Sequence, residues 1–191
     1  MVGRLFPAMI AALILLLPTS ALAGGEINFF FGQKDLDEEW EPLDSQQAIG
    51  FELTFGEQWP VAVAIDFLKS DDDGRYAFEY GMNDYNVKIE AETQEIDAGV
   101  RYLFRKDKKV VPYIGGGLAY IDGELTVEGI SRSDSAVGFW LAGGVNFRIG
   151  KVFNLGVDLR SSSADVEVEG FEVDAGGLAY GVLLGFRWGG G

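Results

Sequence analysis

The sequence predicts an all-β protein, an eight-stranded antiparallel up-and-down transmembrane β-barrel. Three observations support this fold class. Apolar and polar residues alternate with a period of two in eight separate segments. Beyond the amino terminus, no segment approaches the 18 consecutive apolar residues that a transmembrane helix needs. Hydrophobic residues nevertheless make up 48% of the chain and glycine 27 of its 191 residues, so the apolar content is distributed over strands rather than collected in blocks.

The first 23 residues are predicted to form a signal peptide, and residues 24–191 a single barrel domain. Arg4 supplies a basic start, residues 8–17 form an apolar run, and Pro18 ends it. The small-x-small pattern at residues 21–23 is typical of a cleavage site, and the apolar run is too short to span a bilayer. An uncleaved amphipathic anchor is the alternative. No linker or composition shift divides the remainder.

The first four predicted strands each place apolar residues on one face and small or polar residues on the other. Their apolar faces consist, strand by strand, of Ile27, Phe29, Phe31; Ile49, Phe51, Leu53, Phe55; Val61, Val63, Ile65, Phe67; and Ile96, Ala98, Val100, Tyr102, Phe104.

The last four strands continue the pattern, although the fifth, at residues 110–121, is rich in glycine and its faces are ambiguous. We favour Ile114, Leu118 and Tyr120 on one side of it. The apolar faces of the other three are Val137, Phe139, Leu141, Val145, Phe147, Ile149; Phe153, Leu155, Val157, Leu159; and Leu178, Tyr180, Val182, Leu184, Phe186, Trp188.

The connections alternate in length. Residues 57–60, 106–109 and 150–151 are short turns, and the other four links are longer and polar. Outer-membrane barrels have this asymmetry, with the short turns in the periplasm. We therefore expect the long links, including an acidic second loop that opens at residues 71–73, to face the exterior.

Alternation continues beyond the length that a membrane strand requires. Ile89 and Ala91 have the opposite parity from Ile96, which predicts a bulge at residues 93–95 if the strand is continuous. Val127 and residues 166–168 extend the fifth and seventh strands. Residues 128–129 and 169–170, each Glu-Gly, suit hairpin tips because glycine tolerates a positive φ. Such overrun favours either a projecting, partner-binding sheet edge or ordinary ordered loops.

Alternation alone does not decide which face points outward, because a soluble lipocalin-like barrel has the same period. The polar face combines glycine and alanine with arginine and aspartate. Its basic residues are four arginines, and it has no lysine. Lysines cluster in the short turns instead, and aromatic residues lie near the strand ends. These features favour a membrane barrel with a cramped, charged interior.

The closing segment, residues 181–188 (GVLLGFRW), ends in the aromatic residues Phe186 and Trp188. With the signal and the strand count, it resembles the eight-stranded outer-membrane barrel family that includes OmpX and the membrane domain of OmpA. Three glycines follow Trp188, whereas such strands often end the chain with the aromatic residue. The resemblance implies a cell outer membrane location. It also implies outer-membrane lipids, lipopolysaccharide and the barrel-insertion machinery as partners.

The predicted interior charges form the first candidate site. The lumen of an eight-stranded barrel is only wide enough for side chains, so buried charges there must be paired. A salt-bridged plug is the favoured interpretation and a gated ion path the alternative. With four arginines facing four carboxylates, we expect a balanced network of Glu52, Asp66, Asp97, Arg101, Arg148, Asp158, Arg160 and Arg187.

Acidic residues in the outer loops form the second candidate site. The first loop contains Asp35, Asp37, Glu38, Glu39, Glu41 and Asp44. Clustered carboxylates can hold divalent cations, but the spacing matches no EF-hand, and a solvated loop is favoured. No metal site is therefore predicted.

Composition excludes several functions. The predicted mature chain has 14 basic and 30 acidic residues, a net charge of −16, which repels nucleic acids. It has no His, no Cys and no G-x-S-x-G elbow, and Ser70 beside Lys69 would point to the opposite face of a strand. We predict no enzymatic activity and no cofactor. The expected function is structural, adhesive or surface-interacting, with a possible extracellular partner at the outer loops. The alternative is a small pore or transporter for ions or apolar solutes.

Overall fold

The computed structural model describes residues 24–37, 40–41, 43–80, 83–168 and 171–189. The predicted signal peptide lies outside these residues. The strands are β1 (Gly25–Asp35), β2 (Ser45–Phe55), β3 (Ala62–Tyr80), β4 (Asn83–Leu103), β5 (Val110–Val127), β6 (Ile130–Ile149), β7 (Phe153–Ser163), β8 (Asp165–Val168), β9 (Phe171–Asp174) and β10 (Gly177–Trp188). Within the described ranges, no helix is long and apolar enough to cross a membrane.

Eight of these strands close into a barrel in the order β1-β10-β7-β6-β5-β4-β3-β2, and every neighbouring pair is antiparallel. The first and last strands close it, with Gly25 opposite Trp188 and Asp35 opposite Leu178. The predicted closed, eight-stranded, up-and-down barrel is confirmed.

The side chains divide between the two faces as the alternation predicts. On the outside, Leu141 is 69% exposed and Leu184 is 52% exposed, whereas Arg101 on the inside is 1% exposed. Ile114 and Leu118 of the glycine-rich β5 also lie on the outside, which confirms the face chosen for that strand. The barrel is thus apolar outside and polar inside, as a lipid-embedded barrel requires.

Four neighbouring strands, β3 to β6, are 18–21 residues long, whereas the other barrel strands have 11 or 12. We call one end of the barrel, with the turns after β2, β4 and β6, the short-turn end. At the other end, the part of β3–β6 at and beyond the cross-strand row Lys69–Gln94–Asp122–Ser135 is called the projecting sheet. Beyond Asp71, β3 has no ladder partner on the β2 side among the described residues.

The tip between β5 and β6 is a two-residue turn. Glu128 and Gly129 have φ angles of 50° and 80°, the left-handed pair that a tight hairpin needs. The Glu128 amide also donates to the Lys88 carbonyl oxygen (3.1 Å), which ties the tip to β4. The predicted hairpin tip is confirmed here, whereas residues 169–170 lie outside the described residues.

Three local predictions are wrong. No bulge interrupts the β3–β4 register, which is continuous from Ala62–Arg101 to Tyr80–Asn83. The apolar residues of β4 change from one face to the other along the strand, while the direction in which odd and even residues point stays the same from residue 87 onward. Residues 166–168 do not extend β7, because they pair with β9 in a separate two-stranded sheet. Residues 71–73 lie within β3 rather than in a loop, since pairing with β4 continues past them.

Candidate functional site

Side chains fill the middle of the lumen. Trp140, Arg101, Tyr113 and Leu183 project inward from four different strands, and each is at most 2% exposed. Their inward direction follows from the period of two, which aims every second residue of a strand at the barrel axis.

Arg160 of β7 joins three carboxylates from the opposite wall of the barrel. Its guanidinium lies 2.6 Å from Asp97, 2.7 Å from Asp66 and 3.1 Å from Glu52. Glu52, Asp66 and Asp97 are direct cross-strand neighbours on β2, β3 and β4. Like charges in directly opposite positions repel each other, so the arginine compensates for a repulsion that the register creates.

Arg101 of β4 forms the second half of this layer. It donates to Asp66 (2.8 Å) and to the Thr54 hydroxyl (2.7 Å), and its guanidinium lies 5.0 Å from the centre of the Tyr113 ring. The Tyr113 hydroxyl donates to Asp158, whose carboxylate is also within 3.8 Å of Arg160. One connected network therefore crosses the lumen.

Six of the eight residues in the predicted charge network meet in this central cluster, and two do not. Arg148 and Arg187 lie at the short-turn end, where Glu57 binds them at 2.8 Å and 3.5 Å. The central cluster therefore has two guanidinium groups for four carboxyl groups. The predicted balance of four against four does not hold there, because strand stagger separates inward residues along the barrel axis.

Two further layers contain buried charges that the sequence interpretation missed. Lys34 is fully buried and donates to Glu95 (3.1 Å), the Thr93 hydroxyl (3.3 Å) and the Ala175 carbonyl oxygen (3.2 Å). The expectation of an interior without lysine is therefore wrong. Lys34 has the same parity as Asn28 and Phe30, so extending the alternation of β1 would have placed it inside.

Nearer the short-turn end, Glu26 is also fully buried. Its carboxylate accepts hydrogen bonds from the side-chain amides of Asn146 and Asn154, both at 2.9 Å. The parity of β1 would have placed Glu26 inside as well.

An apolar cap lies above the charged layers. Leu36, Trp40 and Leu43 from the β1–β2 connection pack with Ile121 of β5 in one buried cluster. The Trp40 indole donates to the Asp174 carbonyl oxygen (2.8 Å), which fastens the cap to the end of β9. The mouth of the barrel is thus covered by the first loop.

The outer face of the projecting sheet is acidic. Asp71, Glu92 and Glu124 are consecutive cross-strand neighbours on β3, β4 and β5. The neighbouring rows of this face add Asp73, Glu90 and Asp122. A groove of about 360 Å³ lies among five of these carboxylates, all except Asp122.

Two lysines of this face, among the residues whose side chains the structure describes, are already engaged. Lys69 lies 2.8 Å from Glu92, and Lys88 forms an ion pair with Glu90. Partial burial, together with the charges of Glu124, Asp134 and Glu92, raises the pKa of Asp122 above its usual value. The face therefore keeps an excess of negative charge.

The remaining candidates are less connected. Lys69 and Ser70 point to opposite faces, and the Ser70 hydroxyl donates to Gln46 inside the barrel (2.6 Å). Across the part of the chain that the structure describes, no three acidic, His or Cys residues are arranged to hold a metal ion. In the first loop, Glu38 and Glu39 lie outside the described residues.

The two aromatic residues of the final strand take part in ring contacts near the short-turn end. The Phe186 ring lies 5.3 Å from Phe153, and the Trp188 ring lies 6.1 Å from Phe55.

Three solved structures are similar along most of their length. Ail of Yersinia pestis, solved with the heparin analogue sucrose octasulfate, has 15% identity and a TM-score of 0.58; the match covers 86% of this chain and 98% of Ail. OprG of Pseudomonas aeruginosa has 12% identity and a TM-score of 0.58, over 87% of this chain and 96% of OprG. The amino-terminal barrel domain of OprF from the same organism has 12% identity and a TM-score of 0.55, over 87% and 98%.

No curated protein sequence matches. The family described as outer membrane protein beta-barrel domain matches residues 9–188, nearly the whole chain. Together with the closed eight-stranded barrel, this match identifies the chain as a member of the outer-membrane β-barrel domain family, located in the outer membrane.

Proposed function

We propose that this protein is a closed, non-enzymatic barrel that binds an extracellular partner through its projecting sheet. The observation that carries the proposal is the unequal length of the strands. Residues 72–80 of β3 continue beyond the last β2 partner, which at about 3.3 Å per residue extends that strand by roughly 30 Å. An ordered sheet of this length is not needed to cross a bilayer, because about 9–11 residues suffice.

The filled lumen argues against the alternative of a pore. Arg160 bridges from β7 to carboxylates on β2, β3 and β4, and the apolar cap covers the mouth above it. A transported ion would have to break these buried ion pairs, each of which costs several kcal/mol to disrupt. We therefore assign the function to the surface and not to the interior.

The charge of the projecting sheet selects the class of partner. Ail was solved with a polyanionic heparin analogue. Here, among the side chains that the structure describes, the outer face has six carboxylates and two lysines that are already paired. Complementary potentials steer association and exclude partners of like charge. We therefore assign a cationic protein surface as the partner, with the short-turn end in the periplasm and the projecting sheet outside.

Binding of a basic peptide to intact cells tests the proposal. Cells that display the protein should retain a fluorescent oligolysine peptide above the level of cells lacking it, and added salt should reduce the retention. The triple variant Asp71→Asn, Glu92→Gln, Glu124→Gln should lose most of the increase.

A matched control neutralises three acids of the first loop instead, through Asp37→Asn, Glu41→Gln and Asp44→Asn. It changes the net charge equally and should retain the binding. Equal loss in both triple variants would mean that net charge alone attracts the peptide, and binding that the first triple variant leaves unchanged would refute the assigned face.

The outer surface of the barrel and its final strand fit the other expected partners. The apolar outer stripe fits membrane lipids and lipopolysaccharide, and the closing aromatic residues Phe186 and Trp188 fit recognition by the barrel-insertion machinery.

A further inference from the structure

A furrow of about 660 Å³ crosses the lipid-facing surface. It follows one row across the strands, in which the successive cross-strand neighbours are Val100, Gly116, Leu141, Ser161 and Leu178. Its lining is almost entirely apolar. Because the furrow lies on the face that carries the exposed apolar side chains, the molecule that enters it must have a hydrocarbon part.

Gly143, in the floor of this furrow, is not required by the barrel itself. A Cβ atom there would have no neighbour closer than 3.6 Å, and its φ is not positive. By contrast, a Cβ on the adjacent, inward-facing Gly144 would lie 2.3 Å from a backbone oxygen. A glycine within a strand weakens it and often marks a bulge or the close approach of a ligand. The register is continuous through Gly143 on both sides, so no bulge accounts for it.

A cationic turn lies beside one end of the furrow. Tyr102 lines that end and packs edge-to-face against Phe104, with ring centroids 4.7 Å apart. The β4–β5 turn follows immediately and contains Arg105, Lys106, Lys108 and Lys109.

The only acid of this turn, Asp107, is paired with Lys108 at 3.1 Å. Among the described residues, Arg105 and Lys109 form no ion pair. The furrow thus begins at an excess of positive charge in a chain whose net charge is −15.

We infer that the furrow and the β4–β5 turn together bind one anionic phospholipid, with an acyl chain in the furrow and the phosphate against the turn. The apolar furrow matches the acyl chain of such a lipid, and the cations of the turn at its end match the phosphate. Basic residues beside a membrane surface attract anionic headgroups. This site lies at the opposite end from the acidic projecting sheet, and it does not depend on the function proposed for that sheet.

Electron spin resonance with lipids spin-labelled on the acyl chain tests the inference. The protein is reconstituted in phosphatidylcholine vesicles with trace spin-labelled phosphatidylglycerol or phosphatidylcholine. We expect several-fold preferential immobilisation of the phosphatidylglycerol. The double variant Arg105→Gln, Lys109→Gln should abolish the preference without changing the number of immobilised lipids. Gly143→Leu should reduce that number by one lipid per barrel.

Val157→Phe is the matched control, because it adds as many carbon atoms at a lipid-facing position that does not line the furrow. It should change neither quantity, and heat-modifiable electrophoretic mobility checks that every variant is folded. An unchanged number of immobilised lipids in Gly143→Leu would overturn the inference. An equal loss of immobilised lipid in Val157→Phe would also overturn it. Cross-linked dimers that Gly143→Leu abolishes would overturn it as well, because they would assign the furrow to a second copy of the chain.

Discussion

The membrane-embedded barrel and the projecting sheet are built from the same strands with their chemistry reversed. In the embedded part of β4, Arg101 points inward and Val100 outward; in the projecting part, Ala91 points inward and Glu92 outward. The parity does not change from residue 87 to the end of β4, because odd-numbered residues face inward along this whole stretch. Only the medium outside the strand differs.

This difference teaches that the medium, and not the fold, decides which side chains a strand places on each face. Lipid surrounds the membrane-embedded barrel and requires an apolar outer stripe. The polar residues therefore lie in the narrow lumen, where they must be paired. Water surrounds the projecting sheet and solvates carboxylates on its outer face. Its apolar residues therefore point inward, towards the cap formed around Trp40.

The largest expected effect is the difference in stability loss between removing a buried charge and removing an exposed one. Arg160→Ala should lower the free energy of unfolding by about 3–5 kcal/mol, because it leaves three carboxylates of the lumen without their shared partner. In the projecting sheet, Lys69→Ala breaks a pair that is about one-third exposed and should cost less than about 1 kcal/mol. Urea unfolding in lipid vesicles measures both, and equal costs would contradict the contrast.

The second expected effect compares the two outer faces. Leu184→Arg places a cation in the lipid-facing stripe and should cost roughly 2–4 kcal/mol. Ser133→Arg lies on the outer face of the projecting sheet, opposite Glu124, and should change stability by no more than about 0.5 kcal/mol. Reversed costs in the same unfolding assay would mean that the two regions are assigned to the wrong media.

The smallest expected effect concerns the acidic face. Because partial burial and neighbouring carboxylates raise the pKa of Asp122, its ionisation destabilises the folded state. Asp122→Asn should therefore be more stable than the unmodified protein at pH 7. The difference should shrink as pH falls through the raised pKa of Asp122 and should disappear below about pH 3.9, its unfolded value. A difference that is constant from pH 7 to pH 3 would exclude this cause.

The sequence predicts the faces of the barrel strands well, because lipid on one side and a narrow lumen on the other impose alternation. It also predicts the Glu128–Gly129 turn, since a two-residue hairpin demands positive φ. The parity change before Ile96 predicts a bulge only on the assumption that apolar residues keep one face along a whole strand. That assumption fails where β4 leaves the lipid.

The partners within the lumen are harder to predict. Alternation shows that Arg160 and Arg148 both point inward, but the stagger of the strands decides that the first meets Asp97 and the second meets Glu57. Contacts of this kind join residues far apart in sequence, and no local pattern encodes them. The sequence predicts a hairpin tip at residues 169–170, but not that β8 and β9 pair with each other apart from the barrel, since strands of four residues are too short to show a period.

Ionic conductance of the purified, unmodified protein in planar bilayers tests the central claim most directly. If the central charge cluster and the apolar cap close the lumen, insertion should produce no sustained conductance at neutral pH. Insertion is verified independently by protease protection of the embedded strands. Sustained, ion-selective single-channel steps from the unmodified protein would contradict the closed barrel and would favour the pore.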